Sequence, residues 1–354
     1  RRHASGCAMR ILIVKLSSLG DVVQALPVIS DIRRHVELDL HIDWVVEEDY
    51  ASLLALHPGI HRVIPVGLRR WRKQGLLNLW RDSKVRAERF ALRQALALTP
   101  YDAIIDLQGL MKSAWIAQMA QGPRHGWASK AAREGLASLS YQHRYQALPY
   151  DAMPAVHRYR ELVADVLGYR SKLGDTALDY GLKTYDLDDL GSWNHSHVEA
   201  EACHSILLLH GTAREEKLWP EPNWIALAQK LIGYGFAIEL SWGNAKEQAR
   251  AMRLAEAIDA PVNRLKVDQQ VLSLDQWPQR LSRLKAVVGV DSGLLFLALA
   301  CAVPALGIYL ATDPGHVGLI GASAHRNLGG KSATVSVGEV LEGLEAMGVM
   351  AAAA

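Results

Sequence analysis

The feature that most constrains this chain is a series of short, almost wholly apolar runs separated by helical patterns. In the first half they are "ILIVK" at 11–15, "IDWVVE" at 42–47, "RVIPV" at 62–66 and "DAIIDL" at 102–107. Segments such as "DVVQALPVISDIRRH" and "AERFALRQALAL" lie between them. Strands apolar on both faces that alternate with helices specify a parallel sheet covered on both sides. The second half repeats the pattern with "SILLLH" at 205–210, "FAIELSWG" at 236–243, "AVVGVD" at 286–291 and "ALGIYL" at 305–310. Its helices include "PNWIALAQKLIGYG", where Gly233 and Gly235 are expected to form a left-handed stop, and "KEQARAMRLAEAI".

A length of 354 residues suits two domains. The polar, irregular stretch between the halves places one at 9–180, a linker at 181–203 and the other at 204–336, with a helix at 337–350. The fold class is therefore α/β, with two Rossmann-like doubly wound domains in tandem and a cleft expected between them. Ligands bind such sheets beyond the carboxyl ends of the strands, which suits a two-substrate reaction.

Composition removes several function classes. Cys7, Cys203 and Cys301 show no paired spacing, which argues against a disulfide framework or a zinc knot and fits a reducing compartment. His57, His61, His125 and His157 have no metal-ligand spacing with carboxylates. Residues 1–8 carry charge without an apolar core, so they read as an extension before Met9 rather than a signal peptide. The charge-free stretch 293–311 contains Pro304 and reads as helix followed by strand rather than a membrane span. Net charge is only +2, yet nine Lys or Arg fall between His61 and Phe90 against Asp82 and Glu88. Such a local field recruits phosphates, nucleic acid or an anionic membrane surface.

Four loops after predicted strands carry the chemistry. In "KLSSLGD", Asp21 is either a helix cap or a carboxylate that takes a proton from a hydroxyl. In "LLLHGTAREEKLWP", Thr212 and Lys217 suit a phosphate, Lys217 being held beside Trp219 and Pro220. In "GVDSGLLFLALACAVP", Asp291 precedes Ser292, Gly293 and Leu294, whose amides either begin a capped helix or cradle a diphosphate. "LRRWRKQG" is either a solvated charged face or, with the following "LLNLWRDSKVRAERF" that interleaves Leu and Trp with cations, a segment suited to an anionic interface. A dinucleotide fingerprint, a Walker loop and a nucleophile elbow are absent.

Taken together these loops resemble the heptosyltransferase family of lipopolysaccharide core assembly. The resemblance runs from Met9 to about Gly321 through "MRILIVKLSSLGDV", "DWVVEE", "RVIPV" with "RRWRK", "YDAIIDLQGLMKSA", "AREGLASL", "EKLWP", "WGNAKE" and "VGVDSG" with "ATDPG". It implies a GT-B architecture, with an acceptor-binding N-domain and a donor-binding C-domain facing a central cleft. The implied reaction is metal-independent, inverting transfer of L-glycero-D-manno-heptose from ADP-heptose to a Kdo hydroxyl of Kdo2-lipid A, with no cofactor. Transfer to a later core heptose and non-catalytic nucleotide-sugar binding at a membrane are the alternatives.

Matched by motif, Asp21 is the implied catalytic base. Thr212, Ala213, Lys217, Glu247, Leu272, Asp291, Ser292, Gly293 and Leu294 are the implied donor contacts, Glu247 on the ribose and Leu272 beside adenine. Ser18, Gly20, Arg69, Arg70, Arg72, Lys73, Gln108, Lys112 and Arg133 are the implied acceptor side. Three features depart from the family pattern: Phe296 stands where a histidine is usual, Ala213 where a second threonine is common, and 185–203 has no counterpart. The resemblance also implies a monomer working without nucleic acid on the cytoplasmic face of the inner membrane. The final amphipathic segment, with Val337, Val340, Leu341, Leu344 and Met347 near one face, is expected to cross back onto the N-domain.

Overall fold

The computed structural model describes residues 8–73, 82–174, 177–182, 204–261 and 263–351. The expected linker segment 183–203, and 74–81 of the basic stretch, lie outside the described residues. The chain divides after Gly181 into two compact units, next to the expected boundary at 180.

In the first unit six parallel strands lie in the order β3-β2-β1-β4-β5-β6. They are β1 (Met9–Val14), β2 (Leu40–Glu47), β3 (Arg62–Val66), β4 (Ala103–Asp106), β5 (Arg124–Trp127) and β6 (His143–Tyr145). The four expected strands are all present, and β3 has the expected bounds. The missed strands β5 and β6 are short, and β6 ends the sheet, where one side lacks a strand neighbour and no long apolar run is needed. The helices are α1 (Leu19–Ala25), α2 (Pro27–His35), α3 (Ala51–Leu54), α4 (Leu68–Lys73), α5 (Ser83–Ala97), α6 (Met111–Ala117) and α7 (Ala155–Leu167). The first expected helix is two, because Pro27 starts a new helix at its first position, where its missing N–H costs nothing.

The second unit repeats the order as β12-β11-β10-β7-β8-β9. Its strands are β7 (Ser205–Leu209), β8 (Ala237–Leu240), β9 (Leu265–Val267), β10 (Ala286–Val290), β11 (Ala305–Tyr309) and β12 (His325–Gly329). Its helices are α8 (Glu221–Gly233), α9 (Ala245–Ala257), α10 (Trp277–Leu281), α11 (Gly293–Ala300), α12 (Pro314–Val317) and α13 (Val337–Ala346). The stop after α8 uses Gly235 at φ +93°, whereas Gly233 is the last helical residue. Stretch 293–311 is helix then strand, as expected, and among the described residues no helix is long and apolar enough to cross a membrane.

The apolar face of α13 is covered within its own unit: Val340, Leu341 and Leu344 join the core formed by Ile206, Leu306 and Trp224. Gly343 permits this approach, since a Cβ there would meet Leu306 Cδ1 at 2.7 Å. The apolar stripe of α13 is thus part of the second unit's own core.

Both sheets follow the Rossmann order, in which the connections reverse direction beside the first strand and open a crevice at the carboxyl ends. The switch points lie between β1 and β4 in one unit and between β7 and β10 in the other. The loops "KLSSLGD" and "DLQGLMK" flank the first; "HGTAREEK" and "DSG" flank the second.

Candidate active site

At the first switch point β1 runs fully buried into Lys15 and Leu16, and the chain turns at Ser17 and Ser18 into α1. Asp21 occupies the third helical position and reaches back. Its Oδ2 accepts from the Ser18 amide at 3.1 Å and the Ser18 hydroxyl at 2.9 Å. Asp21 therefore caps the helix, as the simpler reading expected. The other oxygen is held independently of the cap. Oδ1 accepts from the Tyr159 hydroxyl at 2.9 Å and lies 3.6 Å from Lys15 Nζ, which itself donates to the Tyr159 oxygen at 2.8 Å.

Burial alone would push the Asp21 carboxyl up. Lys15, the two Ser18 donors and Tyr159 together outweigh it and hold the carboxyl below its usual range. Burial pushes the Lys15 ammonium down, against the pull of Asp21. Burial first, and Asp21 second, push the Tyr159 phenol well up, so it remains a donor.

Tyr159 reaches this position because α7 is pinned to α2 by a buried pair. Arg160 Nε and Nη2 donate to Asp31 at 2.6 and 3.0 Å, with both side chains almost fully enclosed. Sequence reasoning missed Tyr159, whose partner is 138 residues away, and no local signal marks it. Lys15 was quoted but given no role; a charge at the buried end of an apolar strand was the available signal.

The remaining expected acceptor residues divide. Gln108 is buried, and its Oε1 accepts from the Leu16 and Ser17 amides at 2.7 and 3.3 Å, so it pins the loop. Gly20 is likewise buried in the first turn of α1 and shapes it. Arg70 is committed to Glu48, at 2.9 and 3.0 Å, and to Glu88 at 3.0 Å, pairs that fasten α4. Gln108 and Arg70 are thus engaged by partners distant in sequence, whereas Gly20 is set by the helix turn itself. Trp71 is buried and donates to Glu88 at 2.6 Å, which leaves its neighbours Arg72 and Lys73 exposed. Arg69 lies over the Tyr50 ring, with Asp49 at 3.8 Å. Lys112 donates to Ser17 Oγ at 3.3 Å, and burial pushes its ammonium down. Arg133 is exposed over the Tyr150 ring, close enough to Lys15 to repel it. Ser18 thus meets Asp21 directly, while Lys112 meets its loop at Ser17 and Arg133 lies near its partner Lys15.

At the second switch point Thr212 Oγ1 donates to the Asp291 carbonyl at 2.9 Å, tying the loop after β7 to the loop after β10. Lys217 Nζ lies 2.5 Å from Asp291 Oδ2, which also accepts from Thr312 Oγ1 at 3.0 Å. Trp219 holds the lysine loop. It is buried edge-on against Trp224 at 4.9 Å and donates to the Val335 carbonyl at 2.8 Å. Thr312 was missed, although the quoted "ATDPG" contains it.

Ser292 begins α11, and its hydroxyl is buried with no hydrogen-bond partner among the described residues. Gly293 and Leu294 follow in a first turn whose amides a helix leaves unpaired. Phe296, where a histidine was expected, is buried in the same helix. Glu247 lies under the β7 loop: a Cβ on Gly211 would come within 2.7 Å of its carboxyl carbon, and its Oε2 accepts from the Gly243 amide at 2.7 Å. Ala213 is exposed in the turn after Thr212. Leu272 is partly buried along a groove with Glu239 and Arg280. Among the described residues no group of three or more His, Cys, Asp or Glu is arranged to hold a metal.

Two Rossmann-ordered units in tandem, each with polar groups gathered at its switch point, are the GT-B arrangement of glycosyltransferases. The sequence profile of glycosyltransferase family 9 (heptosyltransferase) matches residues 89–341. Lipopolysaccharide heptosyltransferase 1 of Escherichia coli K12 is 40% identical over 311 residues, 88% of this chain and 90% of that protein. The solved E. coli heptosyltransferase WaaC with ADP is 37% identical, with a TM-score of 0.82 over 96% of this chain and 100% of that one. Its complex with ADP-2-deoxy-2-fluoro heptose gives 35% and 0.79 over 96% and 99%. The chain belongs to glycosyltransferase family 9, the heptosyltransferases.

Proposed function

We propose that this enzyme transfers L-glycero-D-manno-heptose from ADP-heptose to a Kdo hydroxyl of Kdo2-lipid A, with inversion at the anomeric carbon. The ionised Asp21, held by Lys15, Ser18 and Tyr159, is the observation that carries this function. As the Kdo hydroxyl attacks C1, Asp21 takes its proton and the bond from C1 to the ADP oxygen breaks. The logic is that of an inverting glycosidase with a sugar hydroxyl in place of water. A carboxylate held below its usual range is a weak base, so proton transfer comes late, when the attacking oxygen has become acidic.

The leaving diphosphate gathers negative charge, and preorganised donors are the most effective way to stabilise it. Lys217, the Thr212 hydroxyl, the Ser292 hydroxyl and the first amides of α11 supply them, without a metal ion. Lys217 waits against Asp291 and turns to the phosphates when ADP-heptose binds. Glu247 holds the ribose hydroxyls, and Leu272 packs beside adenine. Arg69, Arg72, Lys73, Lys112 and Arg133 hold the acceptor's carboxylates and phosphates. The enzyme acts as a monomer on the cytoplasmic face of the inner membrane, where a lipid acceptor is presented.

The test is incubation of purified protein with ADP-heptose and Kdo2-lipid A, read by mass spectrometry for the mass of one heptose. Product from an already heptosylated core, and none from Kdo2-lipid A, would move the function to a later step. Absence of product from both acceptors, with ADP still bound, would sink the enzymatic reading.

A further inference from the structure

On the first unit, away from Asp21, a groove of about 470 Å³ lies between α5 and α6. It is lined by Arg86, Arg89, Phe90, Arg93, Trp115, Gln118 and Met119, with three arginines and no acid. The spacing explains the arrangement. Positions 86, 89, 90 and 93 fall three or four apart and share one face of α5. The opposite requirement is met elsewhere on the helix: Val85, Leu92 and Leu96 are buried in the core, and Glu88 turns to Arg70 and Trp71 of α4. The only acid inside α5 is thereby removed from the arginine face.

One apolar side chain of this groove is open to solvent, while Trp115 and Met119 pack partly against the core. Phe90 is 63% exposed, although it stands among cations on a helix whose core face is already filled. Arg89 lies over the Trp115 ring at 5.3 Å, a contact that favours keeping its charge in the groove. Gln118 donates to Ser140 Oγ at 2.8 Å, joining the groove to the turn Gly135–Ser140. That turn leaves Leu136 and Leu139 67% and 70% exposed. A helix face that combines arginines with exposed aromatic and aliphatic side chains lies in the plane of a bilayer interface, its cations at the phosphates and its apolar groups among the upper acyl carbons.

We infer that the α5–α6 face is the surface by which this enzyme docks on an anionic phospholipid bilayer. The inference rests on the proposed lipid-linked acceptor only for its biological purpose. Charge complementarity selects the occupant: arginines without an acid attract an anionic headgroup layer, and each one near such a surface adds to binding. Arg86 and Arg93 supply the mobile charge, Arg89 the fixed charge on Trp115, and Phe90 the wedge into the headgroup region.

Vesicle co-sedimentation tests it, with phosphatidylcholine alone compared against an equal mixture of phosphatidylcholine and phosphatidylglycerol. Wild type should sediment with the anionic vesicles, hardly at all with the neutral ones, and progressively less as salt screens the charges. Arg86→Glu with Arg93→Glu should weaken partitioning at least about tenfold, and Phe90→Ser should weaken it further. Arg86→Gln with Arg93→Gln provides a milder pair should charge reversal disturb folding. Binding of the variants equal to wild type, or wild-type binding that ignores phosphatidylglycerol, would overturn the docking surface. So would self-association that vanishes in the variants while vesicle binding persists, since the face would then meet a second copy. Heptosyl transfer to detergent-dispersed acceptor is measured in parallel and should be unchanged in the charge variants. Vesicle binding without any transfer in wild type would fault the proposed reaction and leave the docking surface standing.

Discussion

The two switch points have the same strand order and opposite electrical purposes. At the first, a carboxylate is surrounded by donors: both oxygens of Asp21 are occupied, one by Ser18 and the other by Tyr159 and Lys15. At the second, donors are left over: Ser292 Oγ has no partner among the described residues, and the first amides of α11 have none within their helix. One arrangement keeps a negative group ionised inside the protein, and the other leaves donors open, as the proposed diphosphate binding requires. The same backbone frame supplies both, because a Rossmann switch point fixes where loops converge and leaves their charge to the sequence.

The largest test of this contrast is Asp21→Asn, which keeps the cap acceptor and removes the base. Transfer should fall about 10³-fold, while ADP binding measured by calorimetry stays at the wild-type value. A matching loss of ADP binding would erase the division of labour. Lys217→Ala should do the converse: turnover should fall about 10²-fold, and ADP affinity should weaken with it. If ADP affinity is unchanged, Lys217 belongs to Asp291 alone and the second switch point has lost its main cation.

Tyr159→Phe sharpens the first site. The Asp21 carboxyl lies below its usual range, and Tyr159 is one of the groups that hold it there. Removing that donor raises the pKa, so the acid limb of the kcat/KM profile should move to higher pH. Turnover at neutral pH should change by less than about tenfold, because Lys15 and Ser18 remain. An unmoved acid limb would show that the limb belongs to a different group. At the second site, a modest effect, on ADP binding rather than on the pH profile, is expected from Gly211→Ala, whose Cβ would press on the Glu247 carboxyl at 2.7 Å. The flexible carboxylate can yield, so folding should persist, with ADP binding weakened about tenfold, the value of one charged hydrogen bond.

The central strands were legible in the sequence because burial on both faces forces an unbroken apolar run. The edge strands β6, β9 and β12 were not, because "HRY", "LKV" and "HRNLG" stand at the sheet ends or beside them and need no such run. Among site residues, Asp21, Lys217 and Asp291 could be read because each follows a strand at a turn. The basic segment was only half readable. Its charge was plain, but Arg70 faces Glu48 and Glu88 while Arg72 and Lys73 face solvent, and composition cannot separate them. The final helix shows the same limit: its apolar stripe was evident, and the surface that covers it was not.

By itself the sequence determined two parallel sheets, the position of a turn and a charged residue after each key strand, and the family to which those turns belong. These are local properties, written in periodicity and in the chemistry of a few consecutive residues. The tertiary structure decided which of those charges remain available. Tyr159 reaches Asp21 across 138 residues and Arg160 reaches Asp31 across 129, through the packing of α7 on α1 and α2. Such pairings depend on where helices come to rest on a sheet, and only the folded chain specifies that.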